Sequence, residues 1–210
     1  MKLDELLRTL AEDKQRPLLR FRTQLAAALA CAALISCVLL VLTAGVRPDL
    51  PGALLSWQVQ VKFGFAISLL LSAYYACVQA AQPCTQGSFR VLLIAPGLLL
   101  AAVVVELATT SSRDWAAAGL GSHPGLCAVV VLLLSVLPLV AAMATLRRSA
   151  PISPARAGAM AGLVCCALGA LVYMLRCTDD APLFVAVWYA AAIAIVALAG
   201  FVIGRTALRW

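Results

Sequence analysis

Six long stretches of this chain carry almost no charge, and they limit what it can fold into more than any other feature. Arg22 and Arg47 are separated by 24 uncharged residues, Lys62 and Arg90 by 27, and Asp114 and Arg147 by 32. Arg156 to Arg176 encloses 19 and Asp180 to Arg205 encloses 24, while between Arg90 and Arg113 the single charge is Glu106. A helix crosses the hydrocarbon core of a bilayer with about 20 apolar residues. Each window therefore holds one crossing and none comfortably holds two. The spans are expected near 24–45, 60–79, 91–109, 125–145, 157–175 and 182–203. Composition agrees, with 64% hydrophobic and 12% charged residues where a soluble domain has about 45–50% apolar. A water-soluble chain of this size leaves too many side chains wet to hide that much apolar surface. The expected fold is all-α, a six-helix transmembrane bundle over residues 23–210 behind a cytoplasmic tail, 1–22. The first window is not read as a cleaved leader, because 22 residues of mixed charge precede it and a leader's apolar region is about 7–15 residues.

The net charge of +7 does not point to nucleic acid, because the charges sit in short clusters between the windows. Their sides fix the orientation. The tail (Lys2, Arg8, Lys14, Arg16, Arg20, Arg22), the second loop (Arg90), the fourth loop (Arg147, Arg148, Arg156) and the C-terminal end (Arg205, Arg209) hold 12 basic residues. The other side holds 4, namely Arg47, Lys62, Arg113 and Arg176. Basic residues concentrate in cytoplasmic loops, so both termini are expected in the cytoplasm. Trp57 and Trp115 then fall at the outer interface and Trp210 at the inner one.

Within the tail, Leu3, Leu6, Leu7 and Leu10 lie at helical spacing on one face. Asp4, Glu5, Arg8 and Glu12 take the polar side, and Pro17 is expected to end this short amphipathic helix. Two readings stand: a helix resting on the membrane surface, or one that lays its leucines into a groove on a cytosolic partner.

The cysteines sort by side. Cys31, Cys37, Cys165 and Cys166 lie inside spans as small hydrophobes. Cys77 and Cys84 lie toward the cytoplasm, while Cys127 and Cys177 lie at the outer face, where a bacterium's oxidising compartment lets disulfides persist. No CxxC motif signals a thioredoxin-type enzyme. The lone His123, with Asp179 and Asp180, is a weak set of metal-ligand candidates. Asp180 before Ala181-Pro182 reads more simply as the N-cap of the sixth span, and the histidine as solvated. Glu106, inside the third span, is expected to snorkel to the nearby interface. Gly158 with Gly162 and Gly200 with Gly204 are spaced for close helix contact, within the chain rather than between copies. No paired carboxylates, phosphate loop, histidine cluster or lysine within a span is expected, which argues against an enzyme or ion pump. A small transporter or channel is the alternative of a different class, but it would call for a polar midplane cavity and broken helices. A membrane redox enzyme lacking its usual motif is a third.

One segment, Cys177-Thr-Asp-Asp-Ala-Pro-Leu-Phe184-Val-Ala-Val-Trp188-Tyr189, resembles the signature of the negative regulators of sigma F, six-span bacterial inner-membrane anti-sigma factors. Arg47-Pro48-Asp49, Pro138-Leu139, Arg147-Arg148-Ser149-Ala150-Pro151, the small-residue run from Ala157 to Gly169 and the closing Arg209-Trp210 also fit, in order. The resemblance implies a protein that holds an extracytoplasmic-function sigma factor inactive at the membrane until an envelope, oxidant or metal stress appears. It implies no cofactor and no direct contact with nucleic acid. It makes Leu3, Leu6, Leu7 and Leu10 candidate sigma-binding residues, and it maps the family's two sensing cysteines onto Cys127 and Cys177. Members of the family often carry histidine before the second cysteine. Here that position is Arg176, which weakens metal ligation and favours a thiolate.

Overall fold

The computed structural model describes residues 3–81, 89–122, 124–149, 151 and 153–208, with backbone alone at 3–18, 89 and 124. Cys84, His123 and Trp210 lie outside the described residues, as do the side chains of Leu3, Leu6, Leu7 and Leu10. The fold is all-α. Its elements are α1 (Leu3–Ala44), α2 (Leu50–Ala53), α3 (Trp57–Ala80), a 3₁₀ turn (Phe89–Leu93) leading into α4 (Ile94–Thr109), α5 (Trp115–Leu120), α6 (Pro124–Leu146) and α7 (Pro154–Met174). They close with α8 (Pro182–Phe184), a π-helical turn (Val185–Tyr189) and α9 (Ala190–Ala207). Among the described residues, six stretches are long and apolar enough to cross a membrane: Leu19–Ala44, Trp57–Ala80, Arg90–Thr109, Trp115–Leu146, Pro154–Met174 and Pro182–Ala207.

Pro17 does not end a separate tail helix. α1 runs through it from Leu3 to Ala44, since proline's φ is already helical and the cost is one hydrogen bond in a ladder that resumes on both sides. α1 stops at Gly45, whose φ of +71° turns the chain while its N–H still bonds the carbonyls of Leu40 and Val41, both at 3.2 Å.

α7 is the central helix, touching α1, α3, α6 and α9. Its small residues let those backbones in. A Cβ on Gly162 would stand 2.5 Å from the carbonyl oxygen of Val196, and one on Gly158 would collide with the Gly200 carbonyl. The two glycine pairs are thus spent on an intrachain joint between α7 and α9. In α6, Pro138 withholds the N–H that would bond the carbonyl of Leu134. The buried Ser36 hydroxyl of α1 donates to that freed carbonyl at 3.5 Å, which ties the first span to the fourth. Side chains gather in two cores. One holds Phe65, Cys127, Val131, Tyr173, Phe184 and Tyr189, and the other Leu25, Leu29, Met143, Leu146, Val164 and Leu208.

Candidate functional site

The ends of five of the spans that the charge pattern assigns to one side, the first, second, fourth, fifth and sixth, meet in a single buried cluster of thiols and charges. α7 ends at Met174, and the N–H groups of Leu175, Arg176 and Cys177 bond back to the carbonyls of Val172 and Tyr173. The loop after α1 supplies donors to the carbonyls just beyond: the Arg47 N–H bonds that of Leu175 at 3.0 Å, and its guanidinium bonds that of Cys177 at 3.0 Å. That guanidinium, 6% exposed, also grips Asp49 with two parallel bonds of 2.9 and 2.7 Å and Asp180 at 2.8 Å. From α3, the Lys62 ammonium donates to the Asp179 carbonyl at 2.8 Å and the Asp180 carboxylate at 3.1 Å, and lies 5.7 Å from the centre of the Tyr189 ring. Charges this deep cost desolvation and persist because each is paired.

Inside this frame the sulfurs of Cys127 and Cys177 are 3.9 Å apart. Each cysteine is 3% exposed. The Tyr173 hydroxyl, one turn back along α7 from Cys177, donates to the Cys127 sulfur at 3.2 Å. The Cys177 thiol faces the Asp179 carbonyl at 3.7 Å. The Asp179 carboxylate accepts from the Ser122 N–H at 3.0 Å and its hydroxyl at 2.9 Å. That contact needs Gly121, whose φ is +60° and whose Cβ would strike the Phe184 ring at 2.6 Å. Tyr189 closes the π-helical turn, a local widening of the helix that is frequent at functional sites. Among the described residues its buried hydroxyl finds no hydrogen-bond partner of ordinary geometry.

The electrostatics favour a charged Cys177. Its pKa is brought down to about 6, first by the hydrogen bond from Cys127; burial opposes this, and the Lys62 charge and the nearby Tyr189 hydroxyl add to it. The hydrogen bond to Asp49 holds the Arg47 guanidinium well above its ordinary value, and the same bond holds the Asp49 carboxyl below its own. Two thiols in contact can be joined by a two-electron oxidant or bridged by a thiophilic cation. One ligand atom each from Cys127, Cys177 and Asp179 lies within 4.8 Å of the others, and two sulfurs with one carboxylate suit a soft or borderline ion.

Several expectations change here. Asp180 does not cap the sixth span, whose N-cap is Ala181; its carboxylate is taken by Arg47 and Lys62. The capping acceptor is Glu106, which accepts the Leu183 N–H at 2.7 Å. Glu106 is 9% exposed, so it turns inward and does not snorkel. A lysine does stand within a span: Lys62 lies in the second turn of α3 and is 2% exposed. The cation acting on Cys177 is Lys62, while Arg176 points outward, exposed. Of the residues weighed for metal, Asp179 lies beside the sulfurs and Asp180 is held by the two cations. Sequence reasoning missed Arg47, Lys62, Tyr173 and Tyr189. A lysine five residues after Trp57 in an otherwise apolar window was the available signal, because an ionisable group in a span is a functional candidate.

Comparison with known proteins gives the geometry a family. The model for "Negative regulator of sigma F" matches residues 10–210. The chain is 32% identical over 217 aligned positions to an anti-sigma-F factor of Caulobacter vibrioides, covering all of both chains. It is 28% identical over 167 residues to a probable anti-sigma-F factor of Azospira oryzae, covering 79% of this chain and 78% of that one. No solved structure matches the chain. The match spans all six membrane-crossing helices and the whole thiol and charge cluster, and the chain belongs to the negative regulator of sigma F family.

Proposed function

We propose that the chain is an anti-sigma factor of a bacterial inner membrane, with both termini in the cytoplasm. It sequesters a sigma factor of the extracytoplasmic-function class and releases it when oxidant or heavy metal reaches Cys127 and Cys177 from the outer side. The regulatory, non-enzymatic role follows the names of the relatives. The orientation follows the basic residues, 12 on one side and 4 on the other. The sigma factor is held by residues 1–22, through Leu3, Leu6, Leu7 and Leu10. The observation that carries the sensing role is the contact of two buried sulfurs, 3.9 Å apart, at the end of the bundle away from that tail. Joining or bridging them draws the start of α6 and the end of α7 together. The reduced, metal-free pair holds the sigma factor, and the modified pair lets it go.

A transporter finds no support in the buried polar groups. Away from the cluster, Ser36, Ser72, Ser135 and Thr145 are buried, and each hydroxyl bonds a backbone carbonyl, as in helix packing. The test is a sigma-dependent reporter in cells carrying the Cys127→Ser, Cys177→Ser double variant. Repression is expected to hold while induction by oxidant and by thiophilic metal is lost, and Cys31→Ser should change neither. Full induction in the double variant would move the signal away from these thiols.

A further inference from the structure

Between Met174, where α7 ends, and Pro182, where the sixth span begins, the backbone has no helix to fix it. This segment carries Cys177, and backbone and side-chain groups from distant parts of the sequence hold it. Ser122 grips the Asp179 carboxylate, and Arg47 grips the carbonyls of Leu175 and Cys177. Lys62 reaches furthest in: it binds both the Asp179 carbonyl at 2.8 Å and the Asp180 carboxylate at 3.1 Å. Its remaining face lies toward the Tyr189 ring, 5.7 Å from the centroid. Two of the three donors of a 2% exposed ammonium are therefore committed to Asp179 and Asp180, in the same loop as Cys177. Stability alone does not call for such a group, because well-packed apolar side chains commonly do as well as a buried ion pair. A methionine has the length to fill the same space.

We propose that Lys62 is the positioning residue of the thiol pair: its ammonium clamps Asp179 and Asp180, and this keeps the Cys177 sulfur against that of Cys127. The inference rests on the reading of the two cysteines as the sensing groups, and deepens it. The clamp comes from span two, while the thiols belong to span four and to the end of span five. Span two is therefore a third helix tied directly to the state of the pair.

The test uses the full chain in detergent with Cys31, Cys37, Cys77, Cys84, Cys165 and Cys166 replaced by alanine, leaving Cys127 and Cys177. Diamide is the oxidant: the Cys177 thiolate adds to its N=N bond, then the Cys127 sulfur displaces the nitrogen. The pair loses two electrons and two protons, and the azo group gains both to become a hydrazine. Closure is followed as loss of both thiols to a maleimide-linked polymer on gels. Helix content by circular dichroism checks folding. Lys62→Met is expected to slow closure roughly tenfold or more, the effect of losing a charge-assisted hydrogen bond. Lys62→Arg, which keeps charge and donors, recovers most of that rate. In the Cys127→Ser background, maleimide labelling of Cys177 should hold or quicken when Lys62 is lost, because the loop is freed. A clamp that acted through charge alone would slow closure and labelling by one factor, and that result overturns the proposal. So does closure of Lys62→Met at the parent rate, which leaves the sensing role standing. A parent chain whose thiols do not close removes the sensing contact and the clamp together. If Lys62→Met does not fold, Asp180→Ala takes away one acceptor of the same ammonium and must also slow closure.

Discussion

Replacing Gly162 by alanine adds one methyl group at the point where α7 and α9 come closest, and the structure sets its consequence. The new Cβ would stand 2.5 Å from the Val196 carbonyl oxygen and 2.8 Å from the Ala197 Cα, where ordinary contact is about 3.5–4.0 Å. Both obstacles are backbone, so neither can rotate away. The helices must part by roughly 1 Å, and gaps of that size forfeit a quarter to a half of the contact energy along the joint. Overpacking of this kind costs about 1–3 kcal/mol. With about 2–4 °C of melting temperature per kcal/mol for a chain this long, Gly162→Ala should melt roughly 2–12 °C below the parent. Gly97→Ala in α4 is the internal control, since a Cβ there meets nothing within 4 Å. Alanine in a helix is favoured over glycine by about 0.5–1 kcal/mol, so this variant should melt at or slightly above the parent. Circular dichroism melts in one detergent compare the three chains. If Gly162→Ala melts with Gly97→Ala, the two helices do not pack as described and the argument fails.

Three further outcomes follow. Glu106→Leu leaves the half-buried Leu183 N–H without an acceptor and should cost about 1–3 kcal/mol in the same melts, while Glu106→Gln, which keeps an oxygen there, should lose less; equal losses would deny Glu106 its capping role. Leu6→Glu or Leu10→Glu places an unpaired charge on the apolar face of the tail and should release the sigma factor at a cost of several kcal/mol, and unchanged co-purification would move binding to the cytoplasmic loops. Cys177 has its pKa lowered to about 6 against about 8.5 for a free thiol, so its alkylation, read by peptide mass in the presence of Cys127, should reach half its plateau near pH 6. Because the folded chain releases this proton more easily than the unfolded one, its contribution to stability is complete above the ordinary thiol value and is lost as pH falls through about 6. A midpoint at or above the ordinary value would refute the arrangement.

The membrane bundle was legible because bilayer crossing is a one-dimensional constraint: charge-free windows of sufficient length can be counted along the chain. That Cys127 and Cys177 share an end also follows from counting. What could not be counted was pairing. Lys62 looked like a loop charge because its partners, Asp179 and Asp180, lie 117 and 118 residues away, and no local pattern announces them. Asp180-Ala181-Pro182 has the local form of a helix cap, yet Arg47 and Lys62 compete for that carboxylate and two buried cations win it. The capping task then passes to Glu106, 77 residues from Leu183, which explains why a carboxylate inside an apolar span turns inward. Pro17 misled for the reverse reason. Its signal is local, and a helix of 42 residues absorbs one missing hydrogen bond.

In the proposed function, α7 carries an event at the thiols to the opposite end. α7 begins at Pro154 and ends at Met174, a rise of about 31 Å at 1.5 Å per residue, and 72% of its apolar window is buried. A helix packed on all sides does not bend to absorb a displacement; it moves as a body, and its neighbours move or resist. Its thiol end carries Tyr173, bonded to Cys127, and runs directly into Cys177. At its other end the Pro154 carbonyl lies where a Cβ on Gly204 would meet it at 2.5 Å, so α9 is pressed against it without a spacer. Arg147, at the start of the loop between α6 and α7, donates to the Ala207 carbonyl of α9 at 3.2 Å. In the proposed function the thiol pair supplies the two states that any coupling requires, and α7 is the rigid element that both ends share. The joint of small residues with α9 is then the place where a shift at Cys177 must appear as a shift of residues 146–156. Gly162→Ala, which loosens that joint without touching a thiol, should weaken the response to oxidant more than it weakens repression.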